Sequence, residues 1–196
     1  PMEVSGNSVN IWGREVVFGS GGLPTSLTAV GQQILAGPVN LVATVGEEVV
    51  TLTGKGLSFT EKADDRVRWT ASLAGGGLAA ELKAWMEYDG LMYFTVSLAG
   101  NGAEVKDLRV EIPFRRNAGK QVIANGAAQN FRNSYNVQYI PDGDGRVWDS
   151  KTAMPGAKNG LQPGTFLSQI WIGNDDCGLH FSAENDRGWT VNDGVP

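Results

Sequence analysis

The sequence predicts an all-β protein, an antiparallel two-sheet β-sandwich of about a dozen short strands. Three observations carry that expectation. Apolar residues recur with period two between Gly, Asp and Asn punctuation, the spacing of a half-buried strand. Helical stripes at i, i+3 and i+4 with caps are nearly absent. Glycine fills 27 of 196 positions, about twice the usual share of roughly 7%, which demands many turns.

The strands follow in order. Val9 to Trp12, Val16 to Phe18, Val39 to Val45, Val49 to Leu52 and Leu57 to Thr60 are short apolar runs between turn residues. Val67, Trp69, Ala71 and Leu73 alternate on one face of the next strand. The segment Ala80 to Leu98 holds two alternating runs around Asp89-Gly90, a hairpin signal. A two-residue loop would set Met92, Phe94 and Val96 on the face of Lys83, Trp85 and Glu87, mixing core with charge. A three-residue loop, Tyr88-Asp89-Gly90 with Gly90 left-handed, instead matches Ala80, Leu82, Ala84 and Met86 with Leu98, Val96, Phe94 and Met92. That bulged register is the expected one, and it places Trp85 beside Tyr93 on the more polar face.

Leu108 to Phe114 alternates Leu108, Val110, Ile112 and Phe114 against Arg109 and Glu111. Pro113 cannot donate to a ladder, so this strand belongs at an edge or turns that position away from a partner. Asn136 to Ile140, Phe166 to Ile172 and Leu179 to Glu184 complete the set. Two stretches, Asn117 to Ser134 and Pro141 to Gly164, are long for loops, a length usually reserved for function or disorder.

Charge and composition exclude several functions. Lys plus Arg is 16 against 21 Asp plus Glu, a net charge of −5. An acidic chain whose one adjacent basic pair is Arg115-Arg116 is not built to neutralise phosphates, so nucleic acid is not an expected partner, nor is a membrane surface. One His and one Cys make neither a zinc site nor an internal disulfide. No apolar run approaches the roughly 18 to 20 residues that span a bilayer. The Pro1-Met2 start reads as a scar of tag removal, so residues 1–196 are expected to be a single β-sandwich domain excised from a larger protein. At this length one sizeable core is expected.

Several constellations bear on chemistry. Asn174, Asp175 and Asp176, with Glu184 and Asp186 nearby, crowd carboxylates into one corner. Paired carboxylates serve glycosidic cleavage at separations of about 5 to 9.5 Å, whereas Asx turn chemistry needs no such pairing and is the plainer explanation. Cys177 and His180 are three apart on an extended strand and therefore point to opposite faces, a poor dyad. His180 shares its face with Ser182 and Glu184 instead. Asp142, Asp144 and Asp149 offer alternating acids but lack the ligand count of a calcium loop, so no metal and no cofactor is expected. No phosphate-cradling loop opens a helix.

The aromatics separate by position. Trp69 and Phe114 lie on apolar faces, while Tyr135, Tyr139, Trp148 and Trp189 sit in or beside polar, glycine-rich segments. Flat rings flanked by Asp, Asn and Gln suit sugars, whose C–H faces stack on aromatics while hydroxyls take polar partners. The expected ligand site is Trp148 and Tyr139 for stacking, Asp149 and Asn159 for hydroxyls, and Tyr135 beside them.

Phe166 to Trp189, FLSQIWIGNDDCGLHFSAENDRGW, resembles the end of the N-terminal β-sandwich region of glycoside hydrolase family 123-type proteins. Val9 to Phe18 with Leu23-Pro24 and Ile34 to Pro38 resembles its opening, and Tyr88 to Phe94 with Leu108 to Pro113 its middle. The resemblance implies a catalytic Asp-Glu pair in a following (β/α)8 barrel acting on N-acetylhexosaminides. No position of this chain matches that pair, so no catalytic residue is expected here. Cys177 departs from the family pattern, which usually has Arg there.

Together these readings imply a non-catalytic carbohydrate-binding or ancillary domain whose partners are a glycan and a following barrel, secreted or periplasmic in the parent protein. Two alternatives stand beside it: a structural domain that buttresses the barrel, with residues 174–176 at the interface, and a free-standing hydrolase or lyase using Asp175, Asp176, Glu184 or Asp186.

Overall fold

The computed structural model describes residues 1–100, 102, 104–125, 137–143, 145, 147 and 168–189. These residues are all-β, and none is helical. The chain forms two compact units, Pro1–Arg115 and Arg116–Pro196.

The first unit begins with Glu3–Ser5 (β1), Ser8–Ile11 (β2), Arg14–Phe18 (β3), Pro24–Ala29 (β4) and Gln32–Gln33 (β5), which pair in sequence order as a five-stranded meander. Asn40–Val45 (β6) and Glu48–Thr51 (β7) follow. Thr53–Lys62 (β8), Arg66–Gly75 (β9), Leu78–Glu87 (β10) and Met92–Gly100 (β11) make a four-stranded antiparallel sheet. Val105–Glu111 (β12) returns to pair with β6, giving the order β12-β6-β7. The second unit holds Gln121–Asn125 (β13), Gln138–Tyr139 (β14), Gln169–Gly173 (β15) and Gly178–Ser182 (β16) in the order β14-β13-β15-β16.

The two-sheet sandwich expected from the alternation is thus corrected to four separately hydrogen-bonded sheets among the described residues. Alternation fixes which side of a strand is apolar, but not which strands share a ladder. The corner at Leu52 shows why. Only this buried residue separates β7 from β8, its N–H bonds Leu41 O at 2.9 Å, and the chain changes sheet there.

The hairpin register expected around Asp89-Gly90 is the one found. Ala80, Leu82, Ala84 and Met86 face Leu98, Val96, Phe94 and Met92, and Trp85 faces Tyr93. Gly90 stands at φ 93°, donates to Glu87 O at 2.9 Å, and Glu87 N–H closes the loop on Leu91 O. That left-handed bulge residue favours glycine because a Cβ is strained there.

The core of the first unit forms around Trp69. Val67, Trp69, Ala71 and Leu73 are buried on one side of β9, as their alternation requires. The indole packs on Phe18 at 4.4 Å and Phe94 at 5.8 Å between centroids, and its Nε1–H donates to Gly22 O at 2.9 Å. A buried indole N–H without that acceptor would cost about 1–3 kcal/mol.

Three expectations are adjusted. The strand read as Leu108 to Phe114 runs Val105–Glu111 at a sheet edge and ends before Pro113, which takes no place in its ladder. Pro113 O then accepts Ala36 N–H at 2.8 Å, and Phe114 forms an isolated bridge to Leu35. Leu108 and Val110, expected to face inward, are 45% and 48% exposed. Finally, the supposed loop Asn117 to Ser134 contains β13, an interior strand of its sheet.

Candidate functional site

The sheet of the second unit has two unlike faces, because directly opposed residues of an antiparallel pair share a side. On one side Val122, Ile170, Ile172, Leu179 and Phe181 align across β13, β15 and β16, an apolar row. Trp189 closes against its end, edge to face with Phe181 at 6.3 Å.

The other side is polar and aromatic. Tyr139 of β14 lies opposite Gln121 of β13, which lies opposite Gly173 of β15, which lies opposite Gly178 of β16. One row along, Ile123, Trp171 and His180 are aligned, and Gln169 faces Ser182 beyond them. Tyr139 is 73% exposed, and His180, Ser182 and Gln169 are exposed as well.

The glycines decide how Trp171 lies. A Cβ on Gly173 would fall 2.3 Å from Trp171 Cζ2, and one on Gly178 would fall 2.6 Å from Cε2 and Cζ2. The six-membered ring therefore rests on two glycine backbones, in the row that leads through Gln121 to Tyr139. Close approach of this kind is available only to residues without a side chain.

The turn between β15 and β16 holds this arrangement. Asn174 Oδ1 accepts the N–H groups of Asp176 and Cys177, both at 2.9 Å, and Asn174 Nδ2 donates to Asn117 O at 2.9 Å. Gln121 Nε2 donates to Asp175 Oδ1 at 2.8 Å. Asn174 thus performs the Asx turn chemistry that the composition of this turn suggests, while Asp175 accepts from Gln121. Burial, and then the charge of Asp176, pushes the Cys177 thiol above its ordinary pKa, so the thiolate a nucleophile needs is disfavoured. Cys177 precedes β16 while His180 lies within it, sharing its face with Ser182 as expected. Among the described residues no three His, Cys, Asp or Glu side chains gather as a metal set.

Of the expected ligand residues, Tyr139 is the one the structure describes, and it is exposed on this face. Trp148, Asp149, Asn159 and Tyr135 lie outside the described residues, as does Asp144. Sequence reasoning missed Trp171 and Gln121. The signal for Trp171 was present in Gln169-Ile-Trp-Ile-Gly173, whose alternation separates the indole from the two isoleucines.

The sequence model of the family described as glycoside hydrolase 123, third domain, matches residues 2–189. The chain belongs to that family. Glycoside hydrolase 123 membership bears out the resemblance read from Phe166 to Trp189, with a third domain named where the resemblance had an N-terminal one. No curated protein matches the chain.

Proposed function

We propose that this glycoside hydrolase 123-type domain is an ancillary, non-catalytic module that binds glycan on the aromatic face of its second unit. One observation carries the reading: Trp171 lies on Gly173 and Gly178, in the row that runs through Gln121 to exposed Tyr139. Sugar rings stack their C–H faces on such surfaces, and Gln121, Gln169, Ser182 and His180 supply hydroxyl partners around them. Trp148, Asp149, Asn159 and Tyr135 extend this site in the proposal, and residues 1–196 act as one module. The other partner is the catalytic barrel of the parent enzyme.

Titration calorimetry against soluble polysaccharides and N-acetylhexosamine oligomers tests it. Saturable binding is expected, weakened about tenfold or more by Trp171→Ala, a loss of about 1.4 kcal/mol. Absence of heat with every glycan, from folded protein, overturns the reading.

A structural role is the second reading, favoured by β12. Its charged side carries Arg109 bound to Asp107 at 2.6 Å and to Glu111 at 2.8 Å, and that hydrogen bonding, Asp107 first, raises the guanidinium pKa. The apolar side, Leu108 and Val110, is the more exposed one, as expected of a strand that docks against a neighbouring domain of the parent protein.

A further inference from the structure

Sheet edges expose unpaired N–H and C=O groups, and proteins protect them with short strands, charges, prolines or bulges. Seven of the eight edge strands among the described residues carry such protection. β1, β5, β7, β14 and β16 are two to five residues long. β8 contains Lys55, Glu61 and Lys62 and two register shifts against β9. β12 contains Lys106, Asp107, Arg109 and Glu111 and a bulge after Val105.

β11 has none of these. Its nine residues, Met-Tyr-Phe-Thr-Val-Ser-Leu-Ala-Gly, hold no charge and no proline, and pair with β10 without a shift. Residues 95–100 are exposed on both faces, with Val96 at 40% and Leu98 at 38%. The ladder also says which groups point outward. Glu87 N–H bonds Leu91 O, so the hydrogen-bonded pairs are Trp85 with Tyr93, Lys83 with Thr95, and Glu81 with Ser97. The outward peptide groups therefore belong to Met92, Phe94, Val96 and Leu98.

We infer that β11 pairs antiparallel with β11 of a second copy of this chain, about a two-fold axis at Val96. Overlap is longest with that centre. It sets Val96 against Val96, Phe94 against Leu98 and Thr95 against Ser97, so apolar meets apolar and polar meets polar. No charge opposes its like, and the bonds come from the outward groups of Phe94, Val96 and Leu98. Everything this edge needs for partnership is present in the chain itself, which selects a second copy over a strand of other origin.

Sedimentation velocity over a concentration series tests the pairing on the full chain. The wild type is expected to move from monomer to dimer as concentration rises. Val96→Lys, which opposes two ammonium groups at the axis, is expected to be monomeric throughout. Ser97→Lys, an exposed position on the other face, is expected to weaken the dimer, and adding Thr95→Glu to Ser97→Lys to restore it, because unlike charges then meet across the axis and also oppose Lys83 and Glu81 of β10. Near-ultraviolet circular dichroism confirms that each variant is folded. A wild type monomeric at every concentration overturns the inference and leaves the edge to a strand from another domain. A dimer that survives both lysine variants overturns it too.

Discussion

The two units each place a tryptophan and a tyrosine on the polar side of a sheet, and dispose of them in opposite ways. In the first unit Trp85 and Tyr93 stack on each other at 5.3 Å and 13° between planes. Arg66 reaches over the indole at 5.4 Å while bonding Glu87 at 2.5 Å, and that bond raises the guanidinium pKa. Tyr93 and Arg66 take up the π surface of that indole, so the pair stabilises its own sheet. In the second unit Trp171 is laid down on two glycines, with Gln121 between the glycine row and Tyr139. The same residue types yield a self-satisfied stack or a platform according to whether the neighbours have side chains. What distinguishes a binding face is therefore the glycine pair beneath the ring as much as the ring.

The largest test of that difference removes the glycines. Gly173→Ala places a methyl 2.3 Å from the indole and 2.5 Å from Cys177 O, and Gly178→Ala meets Ile172 O at 2.7 Å as well as the ring. Each is expected to lower stability by about 1–3 kcal/mol, the usual cost of forced overpacking. Each also lifts Trp171, so glycan binding falls with tryptophan still present. Urea titration and calorimetry on the same samples separate the two effects, and retained affinity in either alanine variant would contradict the platform.

Trp85→Ala is the matching experiment in the first unit. It is expected to cost about 0.5–1.5 kcal/mol beyond the area it exposes, through loss of the aromatic pair. Glycan affinity should not move. A variant that lost binding as Trp171→Ala does would erase the distinction between the two faces.

How much of this was legible in sequence divides along the same line. The β10–β11 register followed from alternation plus one Asp-Gly pair, because a one-residue slip would bury Lys83 and Glu87 with the apolar set. Trp69 was readable as core for the same reason. The β4 strand was hidden because Pro24–Ala29 lacks strong alternation, and β13 was hidden inside a supposed loop. Sheet membership was not legible at all, since the switch at Leu52 involves one residue with no turn signature. Of the site, exposed Tyr139 was readable from its polar neighbours, whereas the packing of Trp171 depends on Gly173 and Gly178 facing each other across a hairpin, a tertiary fact.

Cys177 offers the smallest test. It ends the turn that brings Gly173 opposite Gly178, with its carbonyl accepting Asn174 N–H at 2.8 Å. The fold raises its thiol pKa, by burial first and by the charge of Asp176 second, so the folded chain favours the protonated form. The resulting stabilisation is fully present below the thiol pKa of the unfolded chain, and is lost as pH rises through the higher folded value. The wild-type Tm should therefore drop relative to that of Cys177→Ala as the solution is taken from neutral into the alkaline thiol range. The gap between the two curves should stay constant on the acid side. Alkylation by iodoacetamide should likewise be slow at neutral pH and accelerate only in the range where the thiol ionises. Parallel melting curves across the whole range would show that the turn does not sense the thiol.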